Sequence, residues 1–180
     1  WYRKGKYVHK KKYELAIEMI EGALNKGFSA CMVLADSWYG IEPFVKELRR
    51  LKLSYILEIT TKNKVKVDRE EPKLTPTGKL AKKQFELKNL KEFFKMIVSY
   101  QICGFAANKE TGKKEKVLYH TKISTVRLNA IPGKQRLVES VDPIKETTKY
   151  LLTNELTWEA TKIISVYSYR WVIEEFFRNA

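Results

Sequence analysis

Three side chains near the C-terminus have the types and spacing for phosphoryl chemistry: Tyr167, Arg170 and Glu174, within Tyr-Ser-Tyr-Arg-Trp-Val-Ile-Glu-Glu-Phe-Phe-Arg. On a helix, positions i, i+3 and i+7 line up on one face. A phenol and a guanidinium on that stripe could hold a phosphate, and the carboxylate a divalent metal, which together equip a protein to cut a phosphodiester. The plainer alternative is an i, i+4 surface pair between Arg170 and Glu174, worth roughly 0.3–0.5 kcal/mol. The bulky apolar neighbours Trp171, Val172, Ile173, Phe176 and Phe177 favour a packed helix whose Glu174 faces a cleft.

Asp36 is the other carboxylate with an informative address. It directly follows the apolar run Ala-Cys-Met-Val-Leu-Ala, residues 30–35. Open α/β sheets bind ligands beyond the carboxyl ends of their strands, although an Asp after a strand also serves as an N-cap or Asx-turn residue. Metal-driven phosphoryl transfer needs carboxylates from separate elements, converging on ions roughly 3.5–4 Å apart. Asp36 and Glu174 lie at opposite ends of the chain, so only the fold can unite them.

The elements that must do this follow from periodicity. Residues 13–26 repeat apolar positions at three and four and are followed by Gly27, which predicts an amphipathic helix. The run at 30–35 predicts a strand buried on both faces. Residues 41–51 predict a helix with Pro43 in its first turn, and residues 54–60 a second strand. This order implies a parallel α/β core. After Thr61 the texture becomes polar and Lys-rich, with Pro72, Pro76 and Gly78, and then β-like at 84–87, 98–107, 116–128 and 135–141. A hairpin turn is predicted at 108–114, and a short helix or strand at 90–97. Residues 150–154 predict a strand and 157 onward a long helix with Thr157 as N-cap. The chain divides accordingly into residues 1–60, a β-rich insertion at 61–147, and residues 148–180.

The 35 Lys and Arg against 21 Asp and Glu give a net charge of +14, which favours a polyanionic partner, nucleic acid being the commonest. Hydrophobic residues at 44% fit a folded domain, and no apolar run approaches the roughly 18 residues of a membrane span. Cys31 and Cys103 form no metal-binding spacing and are expected to be small core residues in a reducing compartment. His9 and His120 are isolated. Trp38 and Tyr39 are expected to pack against the following helix. The lysine clusters at 10–12, 82–83 and 113–116 suit non-specific backbone contact or plain solvation. The start at Trp1 and the end inside a helical pattern mark the chain as an excerpt.

The segment Val33-Leu34-Ala35-Asp36-Ser37-Trp38-Tyr39-Gly40, with Tyr167-x2-Arg170-x3-Glu174, resembles the DDE transposases of bacterial and archaeal insertion sequences, in the group marked by a Tyr-x2-Arg-x3-Glu-x6-Lys signature. The resemblance covers nearly the whole chain. It implies an RNase H-like α/β core, truncated at its N-terminus, with a β-rich insertion before the last helix. It also implies a metal-binding pair, Asp36 and Glu174, with a two-ion Mg²⁺ (or Mn²⁺) site. Tyr167 and Arg170 would grip DNA phosphate, and Trp171 would stack on an unpaired base. The implied partners are transposon ends and target DNA, and a second copy of the full-length protein, in a prokaryotic cytoplasm. The signature Lys would fall at position 181, and the first catalytic Asp should precede Trp1, so the resemblance implies a fragment inactive by itself. The competing expectation is a non-catalytic basic DNA-binding module or decayed remnant.

Overall fold

The structure is a computed structural model that describes residues 2–3, 6–7, 10–29, 32–68, 85–107, 114–142, 146–172 and 176. In chain order its elements are β1 (Tyr2–Arg3), β2 (Lys6–Tyr7), α1 (Lys12–Asn25), β3 (Met32–Ala35), α2 (Glu42–Arg50), β4 (Ser54–Ile59), β5 (Lys64–Asp68), β6 (Phe85–Asn89), α3 (Leu90–Lys95), β7 (Tyr100–Ala107), β8 (Lys114–Arg127), β9 (Lys134–Asp142), β10 (Thr147–Thr153) and α4 (Ala160–Ser168). Six strands form one mixed sheet in the order β3-β4-β10-β9-β8-β7, while β1-β2 and β5-β6 are separate hairpins.

Alternation along the central strands sorts side chains to two faces. Tyr55, Leu57 and Ile59 of β4, Tyr150 and Leu152 of β10, and Leu137 of β9 join a core with Phe44, Val45 and Leu48 of α2 and Phe93 and Phe94 of α3. Ile56, Leu151 and Val138 point the other way, onto Ala160, Ile163 and Tyr167 of α4. The result is a layered α/β arrangement, with α1, α2 and α3 on one side of the sheet and α4 on the other.

The helices begin where local chemistry allows. In α1 the Lys11 amide donates to the Glu14 carboxylate at 2.9 Å, and Gly27 ends the turn with φ of +86°. Pro43 sits in the first turn of α2, where its missing N–H costs nothing. Asn89 caps α3 by accepting from the Glu92 amide at 2.9 Å.

Several expectations are corrected. The core is not a parallel sheet: β3 and β4 are parallel, but β10 pairs antiparallel with β4, and the remaining strands continue as antiparallel neighbours. β3 is not buried on both faces. It has one hydrogen-bonded neighbour among the described strands and its four residues are half-buried. The segment at 90–97 is the helix α3, and the Lys-rich stretch after Thr61 contains β5, whose Val65 is buried. Thr157 is not the N-cap of α4. A turn in which the Trp158 amide donates to the Glu155 carbonyl at 3.3 Å occupies those residues, and the helix starts after Glu159. Cys103 is exposed rather than part of the core, because it lies on β7 at the sheet edge. Cys31, His9 and the turn at 108–113 lie outside the described residues.

Tyr150 offers a test of the core. It stacks on Phe94 at 5.8 Å, and burial, then the neighbouring Glu139 charge, pushes its phenol up to about 12. A phenol in the unfolded chain titrates near 10. The neutral phenol's contribution is therefore full below about pH 10 and is lost as pH rises toward about 12. Urea midpoints across that window should fall less for Tyr150→Phe than for the unaltered protein. Identical curves would show that Tyr150 does not titrate as a buried group.

Candidate active site

The carboxyl ends of β3 and β4 place the first candidate. Ala35 is level with Leu57 in the parallel register, so the next step sets Asp36 level with Glu58. Asp36 is partly exposed, and one carboxylate oxygen accepts from the Trp38 amide at 3.0 Å, an Asx turn, while its carbonyl accepts from the Tyr39 amide at 3.1 Å. The turn fixes the side chain's direction and still leaves a hard oxygen donor. Gly40 ends the loop against β4: a Cβ there would overlap the Glu58 carbonyl oxygen and lie 2.9 Å from Ile59 Cγ2.

The loop's two aromatic residues behave differently. Tyr39 packs on Phe44 with ring centroids 5.2 Å apart, as expected. Trp38 is corrected: it is 68% exposed, with the Lys12 ammonium 4.0 Å over its ring.

From the opposite side of the sheet, α4 brings Tyr167 to the same place. Its ring is buried, and its hydroxyl donates to Glu58 Oε2 at 3.1 Å and toward the Ala35 carbonyl at 3.4 Å. The hydroxyl thus ties α4 to the residue preceding Asp36. Burial, then the Glu58 charge, raises the Tyr167 phenol well above its ordinary value, with Arg170 opposing; the group is neutral and donates.

Around it stand the other members of the predicted stripe. The Arg170 guanidinium lies 5.6 Å from the Tyr167 ring centroid and 5.1 Å from that of Trp171. Trp171 is 43% exposed, so part of its face is open to a ligand. The structure therefore brings Tyr167, Arg170 and Trp171 together, but not on one long helix: α4 ends at Ser168 with Tyr169 as its C-cap, and Arg170 and Trp171 lie in the helical turn beyond it. Glu174 lies outside the described residues.

Two further residues join this cluster that spacing along the chain does not single out. Glu58 accepts from Tyr167 and lies 3.9 Å from Lys149, whose ammonium sits 5.3 Å from the Trp171 ring and 5.9 Å from that of Tyr167. A signal for Glu58 exists: it is the acid in the otherwise buried Tyr-Ile-Leu-Glu-Ile of β4. Lys149 carries none, being one lysine among many. Among the described residues, no three His, Cys, Asp or Glu side chains are grouped to hold a metal. Asp36 by its donor chemistry fits a hard divalent cation, as one ligand of a larger set.

The family description "transposase DDE domain" matches residues 8–180. The chain belongs to the DDE transposase family. A comparison with curated proteins returned no match. DDE transposases are DNA-cleaving enzymes of transposition that generally use divalent metal ions, and their RNase H-like character agrees with the six-stranded mixed α/β sheet. Membership thus implies DNA as partner. No described helix is long and apolar enough to cross a membrane.

Proposed function

We propose that this chain is the part of a cut-and-paste transposase that carries Asp36 and Glu174 as metal-binding carboxylates, with Tyr167, Arg170 and Trp171 on the DNA. The observation that carries this reading is the Tyr167 hydroxyl, which joins the signature helix to Ala35, one residue before Asp36. Bound Mg²⁺ or Mn²⁺ would activate water, and then the freed 3′-hydroxyl, for in-line attack on DNA phosphodiesters. Asp36, held by its Asx turn, offers a carboxylate oxygen from the sheet side. Glu174, seven positions beyond Tyr167, would offer the second from the helix. Arg170 supplies a planar fork for phosphate oxygens, with its guanidinium 5.1 Å from the Trp171 ring. The half-open Trp171 face accepts a base displaced from the duplex at the cut end. Strand transfer to target DNA, an insertion-sequence origin and dimerisation across paired ends belong to the same proposal.

The test is metal affinity in the full-length protein. Mn²⁺ binding, followed by titration calorimetry, should weaken by about tenfold or more in Asp36→Asn, the equivalent of roughly 1.4 kcal/mol, and again in Glu174→Gln. Affinity unchanged in both variants would remove the site assignment. The non-catalytic alternative predicts DNA binding without metal dependence or strand cleavage.

A further inference from the structure

Away from the Asp36 site, β5 meets β8 only at its start. Val65 bridges Leu128, and the Asn129 amide donates to the Lys64 carbonyl at 2.9 Å. Beyond this the strands splay, opening a cleft of about 640 Å³ floored by Val67, Phe93 and Ile97.

Its rim is an unusual row of charge. The antiparallel bridge sets Lys66 beside Arg127, and Arg127 is directly paired with Lys134 of β9. Arg127 and Lys134 thus stand directly opposite each other, and Lys66 lies level with them on β5 across the cleft that all three line. Like charges directly opposite on a sheet destabilise it. Among the described residues, none of the three has an ion-pair partner and no acid lines the cleft. Arg127 and Lys134, on paired strands about 4.8 Å apart, face Lys66 across the cleft mouth, an arrangement that offers cations to successive phosphates of one strand. Fixed repulsion of this kind is relieved when a polyanion sits across the cations.

We infer that Lys66, Arg127 and Lys134 form a second DNA-backbone contact, separate from the Asp36 site. It rests on the reading of the protein as a DNA-acting enzyme and adds a surface which that reading does not use. The contact is with phosphate, so it holds DNA in register without selecting sequence.

The test compares the full-length protein with a Lys66→Gln/Arg127→Gln/Lys134→Gln variant, using fluorescence anisotropy on a labelled duplex across a salt series. The slope of log affinity on log salt should shrink by about 0.9 for each phosphate that the variant no longer neutralises. At the same time Tm should rise, because the repulsion is gone. The charge-keeping variant Lys66→Arg/Arg127→Lys/Lys134→Arg should bind like the parent, whereas loss of binding there too would make the effect structural and overturn the inference. A steep slope left intact in the Gln variant overturns the inference alone and leaves the metal site standing. Binding of an acidic polypeptide that needs the three cations, with DNA binding unaffected, overturns it in favour of a protein partner. A parent protein with no steep salt dependence overturns both this contact and the proposed function.

Discussion

Gly40→Ala is expected to cost roughly 1–3 kcal/mol of stability and, in the full-length enzyme, to lower metal-dependent DNA cleavage by about 100-fold. The contact a new Cβ would make is with backbone: the Glu58 carbonyl, and the Ile59 Cα at 3.2 Å. Neither can rotate away as a side-chain tip can. The loop from Asp36 to Gly40 must therefore lift off β4 and carry Asp36 with it, and a displacement near 1 Å is enough to spoil a metal-ligand geometry. Gly22, around which a Cβ meets nothing within 4 Å, supplies the control: Gly22→Ala should leave cleavage intact. Thermal denaturation and a strand-cleavage assay on the two variants distinguish the outcomes. Equal activity of Gly40→Ala and the parent protein would show that the loop does not position the reacting metal.

Tyr167→Ala should be the most destabilising single change in the α4 layer, by about 3–5 kcal/mol. Its ring is buried against Ile56, Val138, Leu151 and Ile163, and removing it leaves a cavity between helix and sheet. Tyr167→Phe keeps that packing and loses the hydroxyl's contacts to the Glu58 carboxylate and the Ala35 carbonyl, at about 1.5–3 kcal/mol for a bond to a charged group. The pair of variants also separates two roles for this residue. If the phenol grips DNA phosphate, Tyr167→Phe loses DNA affinity; if it braces α4 beside Asp36, Tyr167→Phe keeps affinity and loses stability. Urea denaturation in parallel with DNA titration measures both. A Tyr167→Ala protein as stable as the parent would contradict the packing of α4 on the sheet.

Glu58 and Lys149 show what sequence spacing hides. Tyr167, Arg170 and Trp171 are legible because they lie within four residues of one another, at spacings that helical pitch makes neighbours. Asp36 is legible because an apolar run ending in an acid marks the carboxyl end of a strand. Glu58 meets Tyr167 only because β4 alternates, sending Glu58 to the α4 face with Ile56 while Tyr55, Leu57 and Ile59 face α2. Lys149 reaches the same rings because β10 lies antiparallel to β4, with Leu151 level with Glu58. Pairing at a distance also explains why the core is mixed where local patterns suggest a parallel sheet. Those patterns mark strands; which neighbour each takes is set by contacts far apart along the chain. The row Lys66, Arg127 and Lys134 is likewise invisible until three strands are brought into register.

By itself, then, the amino-acid order determined α1 and α2, most strands, the basic character and the residue types that mark the family, because each depends on neighbours within a turn or two of backbone. Only the tertiary structure decided that the Tyr167 ring is buried with its hydroxyl bonded to Glu58, that Glu58 and Lys149 share its surroundings, and that Trp38 is exposed. Those outcomes depend on sheet order and strand parity, which are fixed by burial of whole faces against one another.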